Sequence, residues 1–314
     1  MDNITDVVPE LLAKIQKDFQ QQFNSSREVA AILGSIKSKT ATYKEANEFA
    51  VKVGEMLANS YGKFLTPETL PEGRMWFNIA SRILEPTLHT NYSLITDVCQ
   101  AAQTKLNKDA GIGLKAIKPG FDENRVKGIV DKVSNAEDFE EVEWVLKEPV
   151  VNFSQAVVDD SVKTNAEFHY KSGLTPKIRR TMEPAETRSV TRRTKKGKTY
   201  TVTYHVPCKW CQALAGTYDY PEVPSNVYRK HENCRCTVEY ISDGKRQNVH
   251  TKKWVGEVPA AERQKQIERQ AKEAQAEARR QAEAAAVAEL MRRNPSWSER
   301  GATIYYRMNM APKS

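Results

Sequence analysis

The chain has 314 residues, of which 39% are hydrophobic and 28% are charged, with 14 glycines and 14 prolines. This composition excludes collagen, Pro/Gly-rich disordered chains and small disulfide-rich scaffolds. No run of 18 or more apolar residues occurs, so we expect no membrane-spanning helix. The N-terminal segment is acidic and has no unbroken apolar stretch, which is not typical of a signal peptide. We therefore expect a protein that is made and kept in the cytoplasm.

Charge is distributed unevenly along the chain. Residues 1–170 hold 19 Lys and Arg against 25 Asp and Glu, whereas residues 171–253 hold 18 against 7. An acidic first half followed by a basic middle predicts two different kinds of contact. A single solvated basic loop explains the same pattern more simply, and the charges alone leave both interpretations open.

Apolar residues in the first half recur at helical spacing. The predicted helices cover about 4–24, 43–64, 74–84, 91–107, 122–134, 136–147 and 152–170. Pro86 is expected to end or kink the helix that contains it, and residues 110–120 are expected to form a loop because they contain three glycines and a proline. Cys99 lies among apolar neighbours, and we expect it to be buried.

The pattern becomes that of β-strands after Pro176. Residues 187–194 and 199–206 are rich in Thr, Val and Tyr and flank a KKGK turn, which predicts a β-hairpin. Residues 236–241 predict a further strand, the SDGK sequence at 242–245 predicts a turn, and residues 246–255 predict one more strand.

The last sixth of the chain changes composition again. Residues 259–294 are mostly Ala, Gln, Glu and Arg, which are strong helix formers. They show no sustained heptad pattern, so we predict a solvated polar helix and not a coiled coil. Apolar residues then gather near the C-terminus, among them Trp297, Ile304 and Tyr305. We expect this tail to dock on a partner; the alternative is that it folds back on the first half of the chain.

Four of the five cysteines lie within 29 residues, as CKWC followed by CRC. Two close pairs in a cytosolic chain indicate a structural Zn²⁺ site with four ligands. We favour Cys208, Cys211, Cys234 and Cys236 as these ligands. His231 competes for a place, in a set with Cys208, Cys211 and Cys236. Disulfides or free thiols are the remaining alternatives.

No catalytic motif accompanies the cysteines. His231 and Glu232 lack the spacing of zinc proteases, and the order of the residues is not that of the nucleobase deaminases. The sequence also contains no P-loop, GxSxG or GxGxxG motif. We therefore expect a structural metal and no enzyme activity.

These patterns predict a mainly α protein with three regions. The first is a helical domain at 1–170, and the second is a small β-rich zinc-binding module with a basic hairpin at 171–256. The third is a polar helical arm with its tail at 257–314.

Three stretches of the sequence resemble a known family: AEFHYKSGLTPKIRR, PCKWCQALAGTYDYP and VYRKHENCRCTVEY. They are similar to minor head proteins of tailed bacteriophages of Gram-positive hosts, within the phage Mu F-like head-morphogenesis group. The resemblance is specific over about 166–241, weaker over 1–165 and absent over 259–314. The basic hairpin at 183–200 departs from the family pattern.

The resemblance implies a structural virion protein that is assembled in the host cytoplasm and has no enzyme activity. It implies few copies near the portal or inside the head, with the portal protein or the major capsid protein as partner. Packaged DNA is a further candidate partner, whereas a membrane or a small-molecule substrate is not expected.

The basic stretch suggests how nucleic acid would be bound. Phosphate contacts from Lys and Arg give affinity without sequence preference. The candidate residues are Arg188, Arg192, Arg193, Lys195, Lys196 and Lys198. The alternative function is therefore a zinc-stabilised, non-specific nucleic-acid-binding protein, in which Arg179 and Arg180 also contact phosphates. An acidic capsid or portal surface could bind the same loop.

Overall fold

The computed structural model describes residues 6–182, 186–193, 199–206, 208–246, 260–294 and 298–309. Within these ranges the protein is mainly helical and carries a small three-stranded antiparallel sheet. The predicted mainly α class is therefore confirmed. Among the helices described, none combines the length and the apolar character that a bilayer-spanning segment needs.

The first three helices are α1 (Val8–Ser25), α2 (Arg27–Lys37) and α3 (Tyr43–Phe64). α3 begins with a capping box, in which the Thr42 hydroxyl accepts from the Glu45 amide and the Glu45 carboxylate accepts from the Thr42 amide. The predicted helices at 4–24 and 43–64 are confirmed. The sequence patterns did not predict α2, which has only two buried residues among its eleven.

α4 (Phe77–Asp109) is one continuous helix of 33 residues. The sequence predicted two helices here, with an end or a kink at Pro86, and the predicted break into two helices is wrong. Proline removes one helical hydrogen bond, but Pro86 is exposed, so water can satisfy the carbonyl that loses its donor. Hydroxyl groups support the same turn, since Thr87 donates to the Ile83 carbonyl at 2.6 Å and Thr90 to the Pro86 carbonyl at 2.9 Å.

Residues 110–122 form the predicted loop, and α5 (Glu123–Ser134) confirms the predicted helix after it. The predicted helix at 136–147 is wrong, because only a short 3₁₀ turn at Glu143–Leu146 is helical. The Phe139 amide donates to the Gly73 carbonyl at 3.3 Å, which holds this stretch to the start of α4 and not in a helix. Its apolar side chains, including Phe139, are nevertheless buried.

α6 (Glu148–Lys171) packs closely against α3, and Gly54 makes this approach possible. A Cβ atom at position 54 would lie 2.9 Å from Ser154 Oγ and 2.9 Å from Val151 Cα, so only glycine fits. Ser154 also accepts a hydrogen bond from Asn91 of α4 at 2.6 Å. The three helices therefore meet at one point of the core, and the predicted helix at 152–170 is confirmed with an earlier start.

The three-stranded sheet lies against α6 and has the order β4–β1–β5. Its strands are β1 (Leu174–Thr181), β4 (Gly216–Asp219) and β5 (Thr237–Arg246). The central strand β1 was not predicted, since Lys and Arg dominate its sequence. Its inward residue Ile178 joins the same hydrophobic core as the helices, together with Val238 and Tyr240 of β5.

β5 confirms the predicted strand at 236–241 but continues to Arg246, so the predicted SDGK turn at 242–245 is wrong. β1 pairs along this extension, with Pro176 opposite Ser242 and Leu174 opposite Arg246. The register shifts between these pairs, as in a β-bulge. The predicted strand at 246–255 lies outside the described residues beyond Arg246.

The remaining strands, β2 (Glu186–Arg193) and β3 (Thr199–Val206), pair antiparallel with Glu186 opposite Val206 and Arg193 opposite Thr199. This confirms the predicted β-hairpin. Its KKGK turn falls in the segment 194–198, which is outside the described residues.

The C-terminal region contains α8 (Ala260–Arg293) and α9 (Glu299–Asn309). The predicted polar helix is confirmed. α9 folds back on α8, so that Val287 and Leu290 pack against Ala302 in a small cluster of their own. Arg307 of α9 also pairs with Glu283 of α8 at 2.7 Å. The tail therefore folds on its own helix within the described residues, while Ile304 and Met308 remain exposed.

His169 on α6 provides a test of the contact between the helices and the sheet. Its Nδ1 lies 2.7 Å from Tyr240 Oη, and burial lowers the pKa of His169 to about 4. An unfolded histidine takes up a proton near pH 6.5, so acidification from pH 7 to 4.5 favours the unfolded state through this residue. We expect His169→Gln to lower the free energy of unfolding at pH 7 by about 1–3 kcal/mol, and this deficit to shrink as the pH falls.

Urea unfolding at a series of pH values measures this change. Asp159→Asn is the matched control on the same helix, because burial raises the pKa of Asp159 to about 6. The folded state then takes up that proton before the unfolded state does, so losing Asp159 should make the acid-induced loss of stability steeper. A deficit of His169→Gln that is constant from pH 7 to 4.5 would contradict the buried neutral imidazole.

Candidate metal centre

The first part of the site is the CKWC sequence at the start of α7 (Lys209–Leu214). Cys208 occupies the N-cap position with an extended backbone, and Cys211 lies in the first turn and is buried. Residues three apart at a helix start lie on the same side of the turn. The spacing of the two cysteines therefore brings both sulfur atoms toward the same place.

The second part is the turn from His231 to Cys236. Asn233 has a φ of 56°, a left-handed conformation that asparagine adopts more readily than most residues. The turn is attached to the first residue of α6, because Glu148 accepts from the Asn233 amide at 3.0 Å and from Arg235 at 2.7 Å. These contacts aim the HENCRC segment at α7.

The structure brings together all five side chains that the sequence predicted as ligands. Cys208, Cys211 and His231 form one group, and Cys211, Cys234 and Cys236 form a second; within each group the donor atoms lie within 4.8 Å of one another. Cys211 belongs to both, with its Sγ 3.0 Å from His231 Nε2 and 3.8 Å from Cys234 Sγ. Each of the two predicted ligand sets takes residues from both groups. None of the five cysteines forms a disulfide.

The His231 ring is oriented as a metal ligand requires. Its Nδ1 lies 2.6 Å from the carbonyl oxygen of Glu232, which can only accept a hydrogen bond. Nδ1 therefore carries the proton, and Nε2 presents a lone pair toward Cys211. A second hydrogen bond that fixes the tautomer in this way is usual for histidines that bind metals.

Two of the cluster's cysteines, Cys211 and Cys234, are protonated when no cation is bound. Burial raises the pKa of the Cys211 thiol to about 11. Hydrogen bonding with Cys236 and burial raise the pKa of the Cys234 thiol as well. A metal ion would therefore have to displace protons from these thiols in order to bind them.

Arg180 is a component of the site that the sequence did not predict. The alternative nucleic-acid-binding function had it contact phosphates, but its side chain is only 1% exposed, so that part of the alternative is wrong. Its Nη2 lies 3.7 Å from Cys211 Sγ and 3.6 Å from Cys234 Sγ. The alternation of β1 could have revealed it, since Arg180 lies two residues after the buried Ile178 and so on the same face of the strand.

Arg179 lies on the opposite face of β1 and is half-exposed. It forms an ion pair with Glu239 of β5 at 2.8 Å, so its charge is already matched. The other predicted nucleic-acid-binding residues are less completely described. The backbones of Arg188, Arg192 and Arg193 lie in β2, and Lys195, Lys196 and Lys198 fall outside the described residues.

A buried ion pair attaches the site to α6. Lys230, next to His231, lies 3.2 Å from the Asp159 carboxylate and donates to the Cys236 carbonyl at 2.5 Å. Both charged side chains are almost completely buried. Removing one partner of such a pair leaves an isolated charge, which is strongly destabilising.

Cys99, the remaining cysteine, lies in the helical core. It is 2% exposed and belongs to neither group of candidate ligands. Burial raises the pKa of its thiol to about 12. The prediction that it is a packing residue is confirmed.

No protein-family model, curated protein or solved structure matches this chain.

The shared position of Cys211 generates a prediction about metal content. We expect Cys211→Ser to lower the metal content of the purified protein, because it removes the one donor that the two groups share and leaves four donors that are not gathered around a common sulfur atom. Elemental analysis of freshly purified, reduced protein measures the metal per chain. Cys99→Ser is the matched control and should keep the wild-type content, since it lies outside the cluster. Equal metal content in the two variants would contradict the site.

Proposed function

We propose that the chain is a structural minor head protein of a tailed bacteriophage, and that its Cys/His cluster holds one Zn²⁺. The observation that carries this proposal is the convergence of Cys208, Cys211, His231, Cys234 and Cys236 within the segment that resembles such proteins. Within the described residues, the cluster also joins the sheet to the helices through Glu148 and Asp159. A metal here would stabilise the fold.

The donor atoms support zinc as the metal. Thiolates with one imidazole are ligands that Zn²⁺ prefers, whereas Mg²⁺ and Ca²⁺ prefer oxygen. A tetrahedral site with bonds of about 2.3 Å has sulfur atoms about 3.8 Å apart. The Cys211 and Cys234 sulfur atoms are 3.8 Å apart, which matches this spacing, whereas Cys211 Sγ and His231 Nε2, at 3.0 Å, would have to move apart for both to bind one zinc. We expect the elemental analysis to give one zinc per chain.

A structural role is more consistent with these residues than a catalytic one. Five donors are available for four positions, so a zinc ion could be fully enclosed by protein ligands. Four of the five donors are cysteines, and three of these are buried. Zinc would supply four bonds that link α7 to the 231–236 turn.

The proposed partner is the portal protein or the major capsid protein, and the C-terminal hairpin α8–α9 is the proposed point of attachment. Its small core of Val287, Leu290 and Ala302 is separate from the main core. The hairpin touches the rest of the described protein mainly where α8 contacts the edge strand β4, so we expect it to contribute little to the stability of the main fold. Ile304 and Met308 provide an exposed apolar face for a partner.

We expect a chain that ends at Val255 to stay folded but to be missing from assembled phage heads. Because the hairpin has its own core, its loss should change the melting temperature of the remaining protein by less than about 2 °C, which corresponds to less than 1 kcal/mol at this size. Calorimetry measures the stability, and immunodetection in purified particles measures the incorporation.

A full-length chain with Ile304→Ser and Met308→Ser is the matched control, since it keeps α8 but removes the exposed apolar face. It should also be lost from heads if this face is the attachment point. Incorporation of the truncated chain at the wild-type level would overturn the proposed role of the hairpin. A fall of several degrees in the melting temperature would show instead that the hairpin belongs to the main core.

Non-specific DNA binding is the second candidate function, and the β2–β3 hairpin favours it. The hairpin confirms that the basic stretch forms a paired element, with Arg188 opposite Tyr204 and Arg192 opposite Tyr200 in the ladder. Cations concentrated on one short element can bind phosphates without reading sequence. Packaged DNA would provide such phosphates.

We expect that replacing six hairpin cations by glutamine weakens binding to duplex DNA and reduces its salt dependence. Each lost phosphate contact lowers the slope of log affinity against log salt by about 0.9. Titration of labelled DNA at several salt concentrations measures both effects. The residues to replace are Arg188, Arg192, Arg193, Lys195, Lys196 and Lys198.

A control of equal charge uses exposed lysines of the helical region. These are Lys14, Lys37, Lys39, Lys108, Lys127 and Lys132. If the two sets of replacements weaken DNA binding equally, the affinity comes from net charge and the hairpin has no specific role.

A further inference from the structure

Arg180 is a buried cation that forms no ion pair with a carboxylate in the described part of the chain. Its side chain is 1% exposed. Burying a charge without an ion-pair partner costs a large amount of free energy, and the Asp159 carboxylate attracts Arg180 only at longer range. The sulfur atoms of Cys211 and Cys234 lie 3.7 and 3.6 Å from its guanidinium, and Cys236 also interacts with it electrostatically.

The guanidinium is held in place from several sides. Its Nη1 donates to the Val227 carbonyl at 2.5 Å and to the Arg229 carbonyl at 2.9 Å. The Trp210 ring lies 5.3 Å from its central carbon, close enough for a cation–π contact. Nη2 is thereby directed at the two sulfur atoms by contacts that do not involve a metal.

Charge balance indicates whether these sulfur atoms are thiols or thiolates in the metal-bound protein. A neutral thiol is a weak acceptor and carries no charge to offset the arginine. A Zn²⁺ ion with three thiolates has a net charge of −1, and with four thiolates −2. We infer that Arg180 is the counter-charge and positioning residue of the metal centre, and that Cys211 and Cys234 bind the metal together as thiolates. This inference rests on the proposed zinc site.

The inference also distinguishes between the ligand sets. The set of Cys208, Cys211, His231 and Cys236 leaves Cys234 as a neutral thiol beside the buried arginine. Any set that includes both Cys211 and Cys234 places negative charge on the two atoms that Arg180 contacts. The ligand sets that contain Cys234 are therefore favoured. Either the fourth cysteine, Cys208, or His231 completes the site.

The first experiment compares the zinc affinity of full-length Arg180→Met with that of the wild type, by competition with a chromophoric chelator. Methionine keeps much of the length but removes the charge and the donors. Loss of a residue that supports metal ligands typically lowers affinity by about 10- to 100-fold, and we expect a loss in that range. Arg179→Met, at the adjacent exposed position, should bind zinc as the wild type does.

Melting temperatures separate this role from simple packing. Without metal, removal of the buried charge offsets the loss of the hydrogen bonds to the Val227 and Arg229 carbonyls, so Arg180→Met should melt close to the wild-type temperature. With zinc bound, the same variant should melt below the wild type, because the anionic centre has lost its counter-charge. A packing role would lower both temperatures alike, and that result would overturn the inference.

Cobalt substitution tests the two sulfur ligands directly. Co²⁺ bound to thiolates shows sulfur-to-metal charge-transfer absorption whose intensity follows the number of thiolates. We expect Cys234→Ser to reduce this intensity, and an unchanged spectrum would exclude Cys234 as a ligand. Arg180→Lys, which keeps the charge without the planar fork, should retain the wild-type spectrum with intermediate affinity, and it serves if Arg180→Met does not fold.

The outcomes for the wild type separate the two proposals. A wild-type chain that binds neither Zn²⁺ nor Co²⁺ contradicts the metal site and this inference with it. If the wild type binds zinc but Arg180→Met binds it equally tightly, the metal site stands and only the role of Arg180 is overturned.

Discussion

The fold depends on α6, a helix that is buried between α3 on one side and the sheet on the other. Its buried residues include many polar ones, and buried polar groups require hydrogen-bond partners. Asn165 bonds both the amide and the carbonyl of Ile117 and so fixes the 110–122 loop. His169 meets Tyr240 of the sheet, and Asp159 meets Lys230 beside the cysteine cluster. These polar contacts select one arrangement of the elements around α6, which apolar packing alone would not do.

The same helix positions the candidate metal centre through contacts that involve no metal. Glu148 at its first turn holds the backbone of Asn233, and Asp159 further along holds Lys230. Arg180 fixes the segment around Val227 from the other side. The cluster is therefore approached by three elements whose positions are set by contacts outside it. Zinc would add bonds to a site that is already assembled, in contrast to small zinc modules that fold only around their metal.

The sequence predicted the helices where one apolar face is enough to define them. α3 is the clearest case, with matching boundaries and a capping box at its start. Prediction failed where tertiary contacts override local pattern. The stretch around Phe139 buries its apolar residues without forming a helix, and β1 appears too polar for a central strand because partners on β4 and β5 neutralise Lys177 and Arg179.

The sequence predicted the candidate ligands of the site but not the residues that hold those ligands in place. The spacing of CKWC and CRC identified four cysteines, and the adjacent His231 identified the fifth donor. Nothing in the spacing reveals Arg180, which lies 28 residues before Cys208 in the chain. Its role depends on the contact of Arg180 with Cys211 and Trp210 of α7, and that depends on the register of β1 with β4 and β5. Strand register of this kind is set by tertiary packing.

The acidic first half and the basic middle of the chain partly neutralise each other through ion pairs within the fold. Acidic residues of α6 pair with basic residues that follow the helix, Glu148 with Arg235 and Asp159 with Lys230, and Glu167 pairs with Lys171 in the last turn of α6 itself. Lys177 and Arg179 are paired within the sheet, and Arg180 faces the cysteines. Six of the 18 cations at 171–253 are therefore already engaged in the fold. The remaining cations of this region carry the excess positive charge. In the sequence, the densest group of them lies in the β2–β3 hairpin and its turn. Among the engaged cations, Lys230 and Arg235 hold the 230–236 segment to α6, whereas Lys177 and Arg179 pair within the sheet.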